Sequence, residues 1–176
     1  MHTVATEREQ LGTFEQILIA HERQVYLTAL HLLGRREDAQ DAAQEVFLRL
    51  HRHLHRLDGS RELSPWLYRV TVNVCRDLAR ERLRHSGPPP ADHLVGGGPD
   101  PHGEAGLAER RRLVSQALGT LPDKERAALV LRDIEGLTTR EVARVVGSAE
   151  VTVRSQISSA RRKIKTAIER FVGGRL

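Results

Sequence analysis

Thr152, Arg154, Ser155, Gln156, Ser159, Arg161, Arg162 and Lys163 gather hydroxyls, one amide and four cations within twelve positions. No base stands beside a nucleophile here, so the chemistry is recognition of an anion. Lys and Arg neutralise phosphates, while hydroxyls and a Gln amide can meet base edges, Gln pairing with adenine. From Glu150 to Arg170 six cationic residues face two Glu, a local net of +4. Arg161, Arg162 and Lys163 suit phosphates, contacts that position a protein without reading sequence.

The elements that must carry these groups are written into Leu137–Lys165, LTTREVARVVGSAEVTVRSQISSARRKIK. Thr138 and Glu141 have the capping-box spacing and predict a helix from Thr139. Val142, Ala143 and Val146 share a face of it, and Gly147 is where the chain turns with positive φ. Val151, Val153 and Ile157 supply the apolar stripe of a second helix, leaving the polar set on another face. Two short helices joined through a glycine turn make a helix-turn-helix, whose second helix fits the major groove.

Upstream, apolar residues recur at three and four in Phe14–Leu33, in Arg36–Leu57 and from Pro65 to beyond Leu78. These predict three amphipathic helices closing one core over residues 13–85, after a flexible N-terminus of residues 1–12. Asp38, Asp41, Gln44, Glu45 and Arg49 form the polar side of the second helix. The third sets Tyr68, Arg69, Asn73, Arg76 and Arg80 away from its apolar face, with Trp66 at its start. Eleven of the twenty-one residues 86–106 are Gly or Pro, including Pro88-Pro89-Pro90 and Gly96-Gly97-Gly98, which reads as a tether. Leu107–Leu118, then a helix from Pro122 carrying Ala127, Val130, Leu131 and Ile134, lead into the helix-turn-helix. The fold class is therefore all-α, two small helical domains at 13–85 and 107–172, with a short tail at 173–176.

The remaining chemistry excludes more than it adds. The 176 residues carry 28 Lys or Arg against 23 Asp or Glu, and the isoelectric point near 10.1 favours an anionic partner. Cys75 is the one cysteine, so no intrachain disulfide forms, and it reads as a small buried apolar residue. His51, His53 and His55 are spaced two apart, positions that do not share a helix face, and no cysteine pair is nearby, so no metal site is expected. No cofactor motif, phosphate loop or catalytic nucleophile stands out, and an enzyme is the least favoured class. With neither a signal peptide nor a membrane-spanning run, the expectation is a cytoplasmic protein with no membrane insertion.

Three stretches carry a family resemblance. Asp38–Leu50, DAQDAAQEVFLRL, resembles the acidic helix of region two in the extracytoplasmic-function (ECF) group of bacterial sigma-70 type sigma factors. Pro65–Arg80, PWLYRVTVNVCRDLAR, is similar to that family's minus-ten segment, and Leu121–Ile164 is similar to region four almost throughout. The resemblance implies an alternative sigma factor. Its N-terminal domain docks on the β′ clamp helices of core RNA polymerase through Asp38, Asp41, Gln44, Glu45 and Arg49. That domain also melts the minus-ten element through Trp66, Tyr68, Arg69, Asn73, Arg76 and Arg80, with the loop Arg56–Ser64 as a pocket for one extruded base. Its C-terminal domain binds the minus-thirty-five element and the β flap, and an anti-sigma factor is the implied inhibitor. Stacking on rings or guanidinium planes, worth about 1–3 kcal/mol per base, is the physical warrant for the minus-ten set. The family usually has serine at the position of Ala149, so the cap of the recognition helix is expected at Ser148. Basic residues usual at Gln156 and Ser159 are replaced here, which implies a different promoter preference. The alternative is a helix-turn-helix regulator that binds DNA without joining polymerase, and it leaves the acidic helix without a task.

Overall fold

The structure, a computed structural model, describes residues 2–54, 60–86 and 105–173, with side chains described over 13–54, 63–85 and 109–173. The order among these residues is α1 (His2–Leu33), α2 (Arg36–His53), α3 (Ser60–Ser86), α4 (Ala105–Gly119), α5 (Asp123–Leu129), α6 (Thr139–Val146) and α7 (Glu150–Gly173). A π-helical turn, Val130–Ile134, continues α5.

Helices α1 to α3 pack pairwise around Ala29, Ala39, Ala42, Val46, Leu50 and Val74, all almost fully buried. Alanine at three of these sites lets the backbones approach, and each larger apolar side chain contributes about 1.5–3 kcal/mol by leaving water. Gly34, at φ 74°, ends α1 and turns the chain into α2. Cys75 lies in this apolar interior, where burial pushes its thiol up to about 12.

The second bundle gathers Leu118, Leu121, Leu131, Val142, Val153 and Ala160. Its helix-turn-helix forms as its local signals require. Thr138 Oγ1 accepts from the Glu141 amide at 3.3 Å, and Glu141 Oε2 accepts from the Thr138 amide at 2.7 Å. The Thr138 hydroxyl, which donates to the same Oε2 at 2.6 Å, and then the Thr138 backbone N–H hold the Glu141 carboxyl below its usual range. Gly147 closes α6 at φ 67°.

Several boundaries differ from the sequence reading. Residues 2–12, expected as a flexible lead-in, are helical and belong to α1. Ala5, Glu7, Arg8, Gln10 and Leu11 are good helix formers, and a helix already fixed by packing further on extends at one hydrogen bond per residue. Helix α3 starts at Ser60, with Pro65 inside it rather than at its first turn. Ser86 belongs to α3, Ala105 and Gly106 to α4, and Gly173 to α7, while the rest of the expected tether, 87–104, lies outside the described residues, as do 55–59 and the tail 174–176. Helix α7 opens at Glu150, the Ala149 carbonyl accepting from Val153 N at 3.0 Å, so the cap position is Ala149 and not Ser148. Ile134, read as part of the apolar stripe of α5, is 42% exposed because the wider π turn rotates it off that stripe.

The two bundles are packed against each other, and their buried side chains form one continuous core. Helix α6 lies on α3, while α4, α5 and the π turn meet α1. Arg126, largely buried on α5, spans this junction. Its Nε donates to Leu118 O at 2.9 Å, and Nη2 donates to Leu121 O at 2.8 Å and Gly119 O at 3.3 Å. Its Nη1 donates to Leu32 O in the other bundle at 2.8 Å. The last turns of α1 and α4 leave carbonyls without helical partners, and one guanidinium serves both.

Candidate nucleic-acid interface

Helix α7 buries Val153, Ile157, Ala160 and Ala167 against the bundle. The face directly opposite carries Val151, Ser155, Ser158 and Arg162, all exposed, with Arg154 beside them. Thr152 is exposed too, whereas Gln156 and Ser159 are half-buried on the flank that also holds Lys163. That flank meets α5. Glu125 accepts from Ser159 Oγ at 3.2 Å and from Lys163 Nζ at 2.9 Å. Arg161 forms a two-bond pair with Asp133, at 2.7 and 2.9 Å, which holds its guanidinium in the charged form. Arg154 pairs loosely with Glu150 at 3.6 Å, and Arg162 carries no ion pair among the described residues. Of the cations expected on phosphates, Arg162 is thus the one presented without an intrachain carboxylate, while Arg161 and Lys163 must share theirs.

The sequence reading put Val151 on the apolar stripe with Val153 and Ile157, but Val151 is 70% exposed. Residues two apart on a helix point some 200° apart, so its neighbour Val153 could not share its face. That spacing would have identified Val151, and Ser158 with it, as outward groups.

On α3, Trp66, Arg69, Asn73, Arg76 and Arg80 recur at three and four and share one side. Asn73, Arg69 and Arg80 are exposed, while Trp66 and Arg76 are half-buried. Trp66 lies tilted against His53, ring centres 6.2 Å apart. Tyr68 is apart from this row and points at the second bundle. Its hydroxyl receives a hydrogen bond from Gln24 Nε2 and donates to Glu135 Oε2 at 3.2 Å. Glu135 Oε1 accepts from Thr28 Oγ1 at 2.8 Å. Burial, and then the Glu135 charge, push the phenol up to about 12. Arg69 Nη2 donates to the Arg144 carbonyl of α6 at 2.8 Å. Two of the minus-ten candidates are therefore engaged by the C-terminal bundle. Of the loop Arg56–Ser64, 56–59 lie outside the described residues and Ser60–Ser64 are helical.

Glu135, Gln24 and Thr28 were not legible as a set, since nothing local links them. Glu135→Ala is expected to weaken the packing of the end of the π turn on α1 and α3 by about 1–2 kcal/mol, the worth of its half-buried charged hydrogen bonds to Thr28 and Tyr68. Hydrogen exchange reads it as faster opening of the amides of the π turn. Unchanged exchange there would mean the network holds nothing together.

The acidic row of α2 divides in the same way. Asp38 pairs with Arg82 of α3 at 2.8 Å, both side chains a quarter exposed or less, and Glu45 accepts from Arg49 Nε at 2.7 Å. Asp41 and Gln44 are exposed, and Leu48, 45% exposed, follows them on the same side of the helix. Of the clustered histidines, His51 meets Phe14 edge-on and His53 Nδ1 lies 2.8 Å from Arg49 O, while His55 is outside the described residues. No helix among the described residues is long and apolar enough to cross a membrane.

Comparison with known proteins gives two family matches, Sigma-70 region 2 over residues 18–85 and Sigma-70, region 4 over residues 111–164. The chain is 33% identical over 151 residues to the ECF RNA polymerase sigma factor SigM of Mycobacterium tuberculosis, covering 86% of this chain and 74% of that one. Among solved structures, the sigma factor RpoE in complex with the anti-sigma factor NepR from Bartonella quintana is similar with a TM-score of 0.75 at 22% identity, over 89% of this chain and 97% of that one, a likeness of fold. CnrH in complex with the cytosolic domain of CnrY is similar with a TM-score of 0.66 at 26% identity, over 89% and 87%.

Proposed function

The chain belongs to the ECF family of RNA polymerase sigma factors, and from that premise we propose how its surfaces divide the work of promoter-specific initiation. The N-terminal bundle docks on the β′ clamp helices of core polymerase with the exposed face of α2, led by Asp41 and Gln44, with Glu45 and Arg49 at its edge. Asp38 supports that face through Arg82. The Trp66, Arg69, Asn73, Arg76 and Arg80 side of α3 holds the opened minus-ten strand. Helix α7 enters the major groove of the minus-thirty-five element, with Arg162 on a phosphate, while the C-terminal bundle contacts the β flap. Binding energy is the chain's whole contribution, because the polymerase performs the chemistry. It works in the cytoplasm, where the polymerase is.

The observation that carries this reading is that the outward faces of α2 and α7, one led by an acid and the other basic, both remain exposed while the two bundles are packed together. Opposite signs suit a basic coiled coil at one end and phosphates at the other. Tyr68 and Arg69 become available when the C-terminal bundle leaves α3, so promoter opening and separation of the bundles are coupled. An anti-sigma factor that binds the packed form would hold the chain inactive.

Run-off transcription tests the reading. Core polymerase with this protein is expected to initiate at a sequence-defined subset of a promoter library, above core alone. Initiation indistinguishable from core alone, with no inhibitor present, overturns it, and duplex binding without polymerase association would favour the stand-alone regulator.

A further inference from the structure

We propose that Val151 reads a thymine methyl group in the upstream promoter element, making an apolar contact a determinant of this chain's promoter choice. The proposal rests on α7 lying in the major groove, as inferred above, and adds which side chain reads which base feature. Buried Val153, Ile157 and Ala160 fix the rotation of α7 about its axis. With that rotation Val151, Ser155, Ser158 and Arg162 follow one another at four, three and four residues along the line farthest from the core. In a helix-turn-helix the N-terminal residues of the second helix approach the base edges, and Val151 is the second residue of α7.

Its environment on the protein is bare. Val151 is 70% exposed, and the packing of the two bundles does not cover it. Glu150, the neighbouring acid, is drawn along the helix toward Arg154 at 3.6 Å. What remains at the tip of the helix is an isopropyl group flanked by hydroxyls of Thr152 and Ser155. Among the groups that the four base pairs present in the major groove, the thymine C5 methyl is the apolar one. Valine is also a poorer helix former than alanine, so local helix stability does not account for it at an exposed position.

The test uses holoenzyme assembled from core polymerase and the full chain, on duplexes selected by that holoenzyme from a randomised promoter library. Each thymine of the upstream element is replaced singly by deoxyuridine, which removes the methyl and keeps every hydrogen-bonding group. The expected result is one position where deoxyuridine weakens binding about fourfold, the worth of one buried methyl-sized contact. Val151→Ala should lower affinity for the thymine duplex by a similar factor and bind the thymine and deoxyuridine duplexes alike. A selected element without thymine, deoxyuridine tolerated at every position, or Val151→Ala retaining the wild-type methyl discrimination each overturns the proposal. Arg162→Ala separates this from failure of groove binding. If it weakens all sequences alike while the methyl test is negative, α7 binds DNA but Val151 does not read it. If neither variant alters upstream binding, the groove reading falls together with the proposal.

Discussion

Arg126→Met is expected to destabilise the folded chain by about 3 kcal/mol, since it leaves carbonyls of both bundles without their donor. The replacement keeps a side chain of similar length, so the change is chemical rather than a cavity. Each hydrogen bond from a charged group is worth about 1.5–3 kcal/mol net; the carbonyls of Gly119, Leu121 and Leu32 depend on this guanidinium, while Leu118 O also accepts from Leu121 N at 3.1 Å. Against that sum stands the burial of the cation, which lowers its pKa and which Asp123, 3.6 Å away and exposed, offsets only in part. Relief of that burial is why the expected loss is nearer one such bond or two than four. Urea denaturation should show a lower midpoint, and thermal unfolding a fall of roughly 6–12 °C for a chain of this size. The ends of α1 and α4 should gain hydrogen exchange together. A loss below about 1 kcal/mol would show that water serves those carbonyls as well as Arg126 does.

The second large effect concerns docking. Asp41→Lys is expected to weaken association with core polymerase at least tenfold, about 1.4 kcal/mol, chiefly by slowing association and by reversing part of its salt dependence. Asp41 is exposed, so the substitution leaves packing alone. The superficially equivalent Asp38→Lys is a different experiment. Asp38 is held by Arg82 in a partly buried pair, and a lysine there would set two cations together and loosen α2 from α3. Its binding loss would report a damaged fold. Circular dichroism of both variants, beside their polymerase affinities, distinguishes the cases. If Asp41→Lys binds core as wild type does at low and high salt, the exposed face of α2 is a solvated surface and the docking site is elsewhere.

These two residues also mark where sequence reasoning stops. The periodic apolar residues of α2 and its acidic row could be read along the chain, because both are matters of spacing on one helix. Which of the acids is free to meet a partner depended on Arg82, forty-four positions away on α3. Nothing local marks Arg126 as a link between the bundles, since its partner at Leu32 is ninety-four positions distant.

What the chain determined by itself was therefore everything whose partners lie within about a turn of helix. The capping box at Thr138 and Glu141, the positive-φ turn at Gly147, the all-α class and the ordered motifs that place the chain in its family all depend on neighbours three or four residues apart. Tertiary structure alone decided how the two bundles meet. Thr28 and Glu135 are 107 positions apart, and Tyr68 and Glu135 are 67 apart, so no local pattern could pair them. It also engaged Arg161 and Lys163 with Asp133 and Glu125, twenty-eight and thirty-eight positions earlier. Hydrogen bonds and apolar periodicity act along a segment and can be read there, whereas the pairing of polar groups across a closed core depends on which faces meet once water is expelled.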